Sequence, residues 1–73
     1  MDWKNCTEIE QIPGKMNGQP VVRGTRILAQ TIIDNFDGGS PIEEIHENYP
    51  SLPVDRIRQI IAFAQAHSKQ PVP

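Results

Sequence analysis

The chain has 73 residues, a net charge of −2 and a single cysteine, which limits it to one small domain without an internal disulfide. No stretch approaches the roughly 20 apolar residues of a membrane span. The start, MDWKNCTEIE, lacks the apolar run of a secretory signal. We therefore expect a soluble cytoplasmic protein. Because so small a domain has a marginal core, we also expect it to form a homodimer.

Charge is distributed unevenly along the sequence. Residues 11–33 contain three basic side chains and no acidic one, whereas residues 27–55 contain six acids and no lysine or arginine. This segregation allows a basic face on an acidic protein, although uneven solvated surfaces are common in small proteins.

The N-terminal third of the sequence is typical of a β-hairpin. Residues 1–7 are predicted to be a flexible arm. Residues 8–12 alternate polar and apolar side chains, PGKMNG has the composition of a turn, and PVVRGTRI forms a second extended segment. Gly24 interrupts that segment, and we expect it to adopt a positive φ. The predicted hairpin covers residues 8–27.

Three helices of about 10, 7 and 14 residues are predicted from apolar spacing after the hairpin. The first ends at the DGG stop signal. The second is expected to begin at a capping box, with Ser40 as N-cap, Pro41 in the first helical position and Glu43 in the third, and to end at Pro50. The third follows LP and continues to about residue 67, leaving residues 68–73 as a disordered tail.

The sequence therefore predicts a mainly α fold, a single domain over residues 8–67 with a three-helix, homeodomain-like helix-turn-helix core behind a short N-terminal β-hairpin. In such folds the last helix reads the DNA major groove. Its predicted exposed side carries Arg56, Arg58 and Gln59, residue types that reach phosphates and base edges. Arg23 is a further candidate for a phosphate contact. The alternative is a helical protein-interaction module that binds no nucleic acid.

Catalysis has little support in the sequence. His46 and His67 lie on different predicted helices without a nucleophile motif, and Cys6 has no histidine nearby in sequence. No glycine-rich phosphate loop is present. We expect neither an enzyme nor a cofactor or metal site.

Two segments, GQPVVRGTRI and GGSPIEEIHENYPSLPVDRIRQIIAFA, resemble family 433 of the domains of unknown function, whose members are described as VapB-like antitoxins. The similarity extends over about residues 8–66, and G-T-R-I and Y-P-x-L are its most specific elements. The matching positions are Gly18, Pro20, Gly24, Thr25, Arg26, Ile27, Gly39, Ser40, Glu43, Glu44, Ile45, Tyr49, Pro50, Leu52, Ala62, Phe63 and Ala64. The chain departs from the family pattern at Gln19, usually lysine, and at Pro53, often a capping Thr or Ser.

The resemblance implies a helix-turn-helix fold, often dimeric, in a toxin–antitoxin system with a PIN-like nuclease as the toxin. It favours a dimeric DNA-binding antitoxin that represses its own operon. The alternative is a module that binds and neutralises the nuclease through its hairpin and acidic helices, without binding DNA.

The arginines on either side of Gly24 receive different predicted roles. We expect Arg26 to pair with an acid such as Asp34, Glu44 or Glu47, and Arg23 to be exposed. An exposed edge strand can pair with a second chain. Val21 and Val22 are therefore predicted to lie at a dimer interface.

Overall fold

Two short strands and three helices make up the computed structural model, which describes residues 3–67. The strands are β1 (Ile9–Glu10) and β2 (Val21–Val22), and the helices are α1 (Ala29–Asp37), α2 (Ile42–Asn48) and α3 (Val54–His67). Each helix packs against the other two. The mainly helical fold with an N-terminal antiparallel hairpin is thus confirmed.

The hairpin is shorter than its sequence pattern indicates. β1 and β2 pair only as Ile9 with Val22 and Glu10 with Val21, because the backbone turns sharply on both sides of this ladder. Positive φ angles follow β1 at four positions, Gly14, Met16, Asn17 and Gly18. After β2 the chain turns at Gly24, whose φ of +79° confirms the prediction. A Cβ on Gly24 would have open space around it, so the backbone angle alone favours glycine.

The core lies between the hairpin and the three helices. Leu52, Ile57 and Ile60 are fully buried where α3 meets the rest of the bundle. The remaining core side chains, each at most 6% exposed, are Trp3, Cys6, Ile9, Val21, Val22, Ala29, Ile32, Ile45, Ile61 and Ala64. The buried positions of α3 recur at helical spacing, so α3 has one apolar side and one exposed side.

Residues 3–7 are not a loose arm, contrary to the prediction. Trp3 and Cys6 are buried, and the Trp3 ring stacks on Phe63 of α3 with ring centres 5.4 Å apart. The backbone N–H of Cys6 donates to the Trp3 carbonyl at 3.0 Å. Aromatic residues make up only 5% of the chain, so a tryptophan contributes volume that this small core otherwise lacks. Residues 1–2 and the predicted tail, 68–73, lie outside the described residues.

The predicted capping box at α2 is also wrong. Pro41 has an extended ψ of 161° and occupies the N-cap position itself, and no side chain caps the helix. The Pro41 carbonyl accepts hydrogen bonds from the N–H groups of Glu44 and Ile45. Ser40 is therefore one residue too early, and its backbone N–H instead donates to the carbonyl of Asn35 at 3.0 Å. The expected stop of α1 is confirmed, since Gly38 forms its C-cap.

Candidate nucleic-acid interface

The connection between α2 and α3 sets the position of α3. The N–H of Tyr49 donates to the Ile45 carbonyl and that of Leu52 to the Tyr49 carbonyl, both at 2.9 Å. The His46 ring donates from Nδ1 to the Leu52 carbonyl, while the Leu52 side chain is fully buried. Residues 49–53 are thus held by backbone bonds, a histidine and a core leucine, and α3 starts from a fixed point.

Arg56 belongs to the fold and not to the exposed side of α3, contrary to the prediction. Its Nε donates to Glu8 Oε1 at 2.7 Å, and Nη2 donates to the Arg23 carbonyl. Only 23% of the side chain is exposed. We call these three groups (the Arg56 guanidinium, the Glu8 carboxylate and the Arg23 carbonyl) the hairpin clasp. The clasp joins the first turn of α3 to both ends of the hairpin.

Arg58 and Gln59 occupy the exposed side of α3, as the sequence predicts. The Arg58 side chain is 58% exposed, and its Nη1 donates to Asp55 Oδ1 at 2.9 Å within the same helix. Gln59 is exposed, and so are Ala62, Gln65 and Ala66 farther along α3. This side of the helix therefore combines an exposed Arg58–Asp55 ion pair, two amides and two small residues.

Arg23 is also more than half exposed, but it helps to hold the hairpin. Its Nε donates to the Thr7 carbonyl at 2.9 Å, and its Nη1 lies 3.6 Å from Glu10 Oε1. Because the clasp holds the Arg23 carbonyl against Arg56, the turn after β2 adjoins the first turn of α3. Two of the four predicted DNA contacts, Arg23 and Arg56, are thus brought together, although Arg56 is engaged within the fold.

Glu10 is the most extensively bonded acid among the described residues. Its Oε2 accepts hydrogen bonds from the Gly24 N–H and from the Lys15 ammonium, each at 2.9 Å. The Gly24 N–H, and then Lys15, hold the pKa of Glu10 below its ordinary value, because both contacts favour the charged carboxylate. Glu10 therefore fixes the turn that carries Arg23.

Arg26 does not form its predicted ion pair, and Val21 and Val22 lie in the core of the single chain. Arg26 is exposed and forms no ion pair with any residue that the structure describes. Its neighbour Thr25 holds the corner instead, since the hydroxyl donates to the Val22 carbonyl and accepts from the Ile27 N–H. Val21 and Val22 are already fully buried within one chain, and the dimer interface expected there stays a prediction.

The remaining motif positions are structural. Tyr49 packs against the core as the C-cap of α2, and Pro50 follows it at the surface. Glu43 is exposed in the first turn of α2, where it complements the helix dipole. The Glu8–Arg56 pair joins residues 48 positions apart, and no local sequence signal could have revealed it.

A family described as "Protein of unknown function (DUF433)" matches residues 9–64. The chain belongs to this family. It is 34% identical over 55 residues to the uncharacterised protein y4eO of Sinorhizobium fredii, a match that covers 75% of this chain and 25% of that protein. The crystal structure of a DUF433 member from Anabaena variabilis is similar with a TM-score of 0.71 and 28% identity, over 84% of this chain and 60% of that one.

The chain thus spans about a quarter of the Sinorhizobium protein and 60% of the Anabaena chain. The Anabaena structure has the same fold as this chain. Within residues 3–67, no helix has the length and apolar character needed to cross a membrane.

Proposed function

We propose that this chain is the DNA-binding antitoxin of a toxin–antitoxin system, acts as a dimer and uses the exposed side of α3 to contact DNA. The fold supports this function, because α2 and α3 are joined by the short connection 49–53 and α3 is the last and longest helix. In helix-turn-helix proteins such a helix enters the major groove.

The observation that carries the proposal is the chemistry of the exposed side of α3. Among residues 3–67, Arg58 is paired only with Asp55, whose side chain is 85% exposed. An ion pair between such exposed groups is weak, so Arg58 can exchange Asp55 for a phosphate or for a guanine edge. Gln59 and Gln65 suit adenine edges. Ala62 and Ala66 leave room for the groove wall to approach the helix.

The contacts of Arg56 within the fold give it a different role in this proposal from that of Arg58. Arg56 holds the hairpin against α3, so it orients the helix and does not contact DNA. Arg23, close to the clasp and more than half exposed, remains an accessory phosphate contact. One acidic chain offers few cations to phosphate, and a dimer doubles them while engaging two half-sites.

The test is an electrophoretic mobility shift on the DNA upstream of the protein's own gene, at two salt concentrations. Arg58→Ala combined with Gln59→Ala should weaken binding, and the slope of log K against log salt should fall by about 1 for the lost phosphate contact. Arg26→Ala is the control, because it also removes an exposed arginine, one that lies outside α3, and it should leave binding nearly unchanged. Equal losses in the two proteins would overturn the assignment to α3.

A second candidate function rests on the acidic segment, which we define as Asp34, Asp37, Glu43, Glu44 and Glu47. None of these five carboxylates forms an ion pair with a described residue, and four of the cations elsewhere in residues 3–67 are already paired. Such a surface suits a partner with a basic face. On this reading the chain is an interaction module that covers a PIN-like nuclease and binds no DNA.

A pull-down with the co-encoded neighbour separates the two functions. The triple variant Glu43→Gln, Glu44→Gln and Glu47→Gln should lose the neighbour if the acidic segment binds it, while Arg58→Ala should retain it. Failure of the wild-type chain to bind DNA, together with this pattern, would favour the module. In both proposals the chain acts by binding and is not an enzyme.

A further inference from the structure

A groove lies beside β1, and Arg23 is the one residue of the proposed DNA contact that lines it. Its volume is about 490 Å³, and Trp3, Ile9 and Ile12 supply its apolar lining. Ile12 is 42% exposed and, with Met16, is one of two large hydrophobic side chains classed as exposed among the described residues. Of these two, only Ile12 lines the groove, where it adds exposed apolar surface beside Trp3 and Ile9.

The outer edge of β1 borders the same groove. The sheet has two strands, so β1 pairs with β2 on one side only within the described part of the chain. The Glu8 carbonyl accepts from the Arg23 N–H, which means that residues 8 and 10 direct their backbone groups toward β2. Residues 9 and 11 direct theirs outward. Although the Ile9 N–H is bonded to Cys6, the Ile9 carbonyl and the Gln11 N–H remain available to a further strand.

The charges around the groove indicate which kind of protein segment would bind there. Lys4, Arg23 and Glu10 line it, and Glu10 is already neutralised by Lys15 and the Gly24 N–H. The guanidinium of Arg23 uses Nε for Thr7 and lies 3.6 Å from Glu10 through Nη1. With a side chain that is 56% exposed, Arg23 has further N–H donors for an incoming carboxylate.

We propose that this groove binds an extended acidic segment of a partner protein, which adds to the outer edge of β1 as a third strand. Backbone hydrogen bonds to residues 9 and 11 supply the strand pairing. An apolar side chain of the segment packs on Trp3 and Ile12, and a neighbouring carboxylate pairs with Arg23. The groove shares Arg23 with the proposed DNA contact but contains no residue of the exposed side of α3, so peptide binding can be tested in the absence of DNA.

A second copy of this chain fits the groove less well. Pairing β1 with itself would place two grooves, each with an exposed Arg23, against one another. Like charges across an interface are unfavourable. An acidic strand from another protein meets the opposite condition, since its carboxylates complement Arg23.

The inference is tested by titrating three capped peptides into the full chain and recording amide NMR spectra. The acidic strand TVEVDVT is the probe, TVQVNVT is its neutral counterpart, and TVEPDVT keeps the charge but has a proline that interrupts strand pairing. At peptide concentrations up to about 1 mM, TVEVDVT should shift the amides of residues 9–12 and the Trp3 indole. The other two peptides should bind more weakly by about threefold or more.

Two variants locate the charge contact. Arg23→Gln should lower the affinity for TVEVDVT by about threefold to fivefold, the effect expected for one exposed ion pair. Arg26→Gln, a matched loss of an exposed arginine, should not change the affinity. Before titration, the spectrum of each variant is compared with that of the wild type, and a close match establishes that the hairpin is intact.

The remaining outcomes overturn the inference. Absence of shifts up to the highest concentration, equal binding of all three peptides, or shifts confined to α3 would each remove the strand-addition site. Shifts of residues 9–12 that depend on protein concentration without any peptide would assign the edge to a second copy of the chain.

Discussion

The hairpin end of the molecule and the acidic segment use charge in opposite ways. At the hairpin end, the charged side chains form three ion pairs: Glu8 with Arg56, and Glu10 with both Lys15 and Arg23. In the acidic segment, none of the five carboxylates forms an ion pair with a described residue. Both regions contain runs of charged side chains in the sequence, yet only the first uses them to hold elements together.

This difference indicates where substitutions should lower the stability of the fold and where they should change the binding of partners. β1 and β2 contain two residues each, and so short a hairpin is not stable alone. It depends on the clasp, on Glu10 and on the packing of Trp3. The helices depend on apolar burial. The acidic segment forms no ion pair with a described residue and, apart from the Gln30–Asp34 hydrogen bond, its carboxylates suit contacts with a partner.

The largest expected effect is at Trp3, which anchors the chain before the hairpin. Trp3→Ala should lower the free energy of unfolding by about 3 kcal/mol, because it removes a buried aromatic ring and its stacking on Phe63. Urea denaturation followed by circular dichroism measures the loss. Asn5→Ala, at an exposed neighbouring position, should change stability by less than about 0.5 kcal/mol. A Trp3→Ala protein as stable as the wild type would restore the flexible arm that the sequence suggests.

The second largest loss of stability is expected at Arg56, and Arg58 on the same helix provides the comparison. Arg56→Ala should cost about 1–3 kcal/mol, because it leaves the half-buried Glu8 carboxylate and the Arg23 carbonyl without their donor. Arg58→Ala removes an exposed pair and should cost less than about 0.5 kcal/mol. Thermal and urea unfolding give both values.

A double-mutant cycle with Glu8→Gln then isolates the clasp. The combined loss should be smaller than the sum of the two single losses, since both substitutions remove the same contact. Additive losses would mean that Arg56 stabilises the protein in some other way, and Arg56 would again be a candidate for binding DNA.

Local pattern was sufficient to predict the three helices, the hairpin and the positive φ of Gly24, because each depends on residues close in sequence. The roles of Arg56 and Trp3 could not be predicted in this way. Arg56 and Arg58 are both arginines near the start of a helix, and only the approach of the hairpin, 48 residues away from Arg56, separates them. Trp3 is buried by Phe63, which is equally remote in sequence. The exposed positions of Arg58 and Gln59 followed from helical periodicity alone.

A smaller effect is expected at the turn that follows β2. Gly24→Ala should cost about 1 kcal/mol, because alanine is unfavourable at a φ of +79°. The added methyl group meets no neighbouring atom, so the cost is conformational. Gly24→Asn should lose less, since asparagine tolerates this region better. Equal losses for the two variants, measured by urea denaturation, would instead indicate that any side chain disturbs the contact of Glu10 with the Gly24 N–H.

The smallest effect is a pH dependence that Glu10 gives to the hairpin end. Its pKa in the folded chain is lowered, chiefly by the Gly24 N–H and then by Lys15. The folded state therefore binds a proton less readily than the unfolded state. It follows that the contribution of Glu10 to stability is complete above the ordinary pKa of glutamate and is lost as the pH falls through the lower folded value. Glu10→Gln lacks this titration, so the stability difference between wild type and variant should shrink on acidification. A stability difference that stays constant from neutral to acidic pH would show that Glu10 holds the turn without its charge. The contrast between the hairpin end and the acidic segment would then concern hydrogen bonds and not ion pairs.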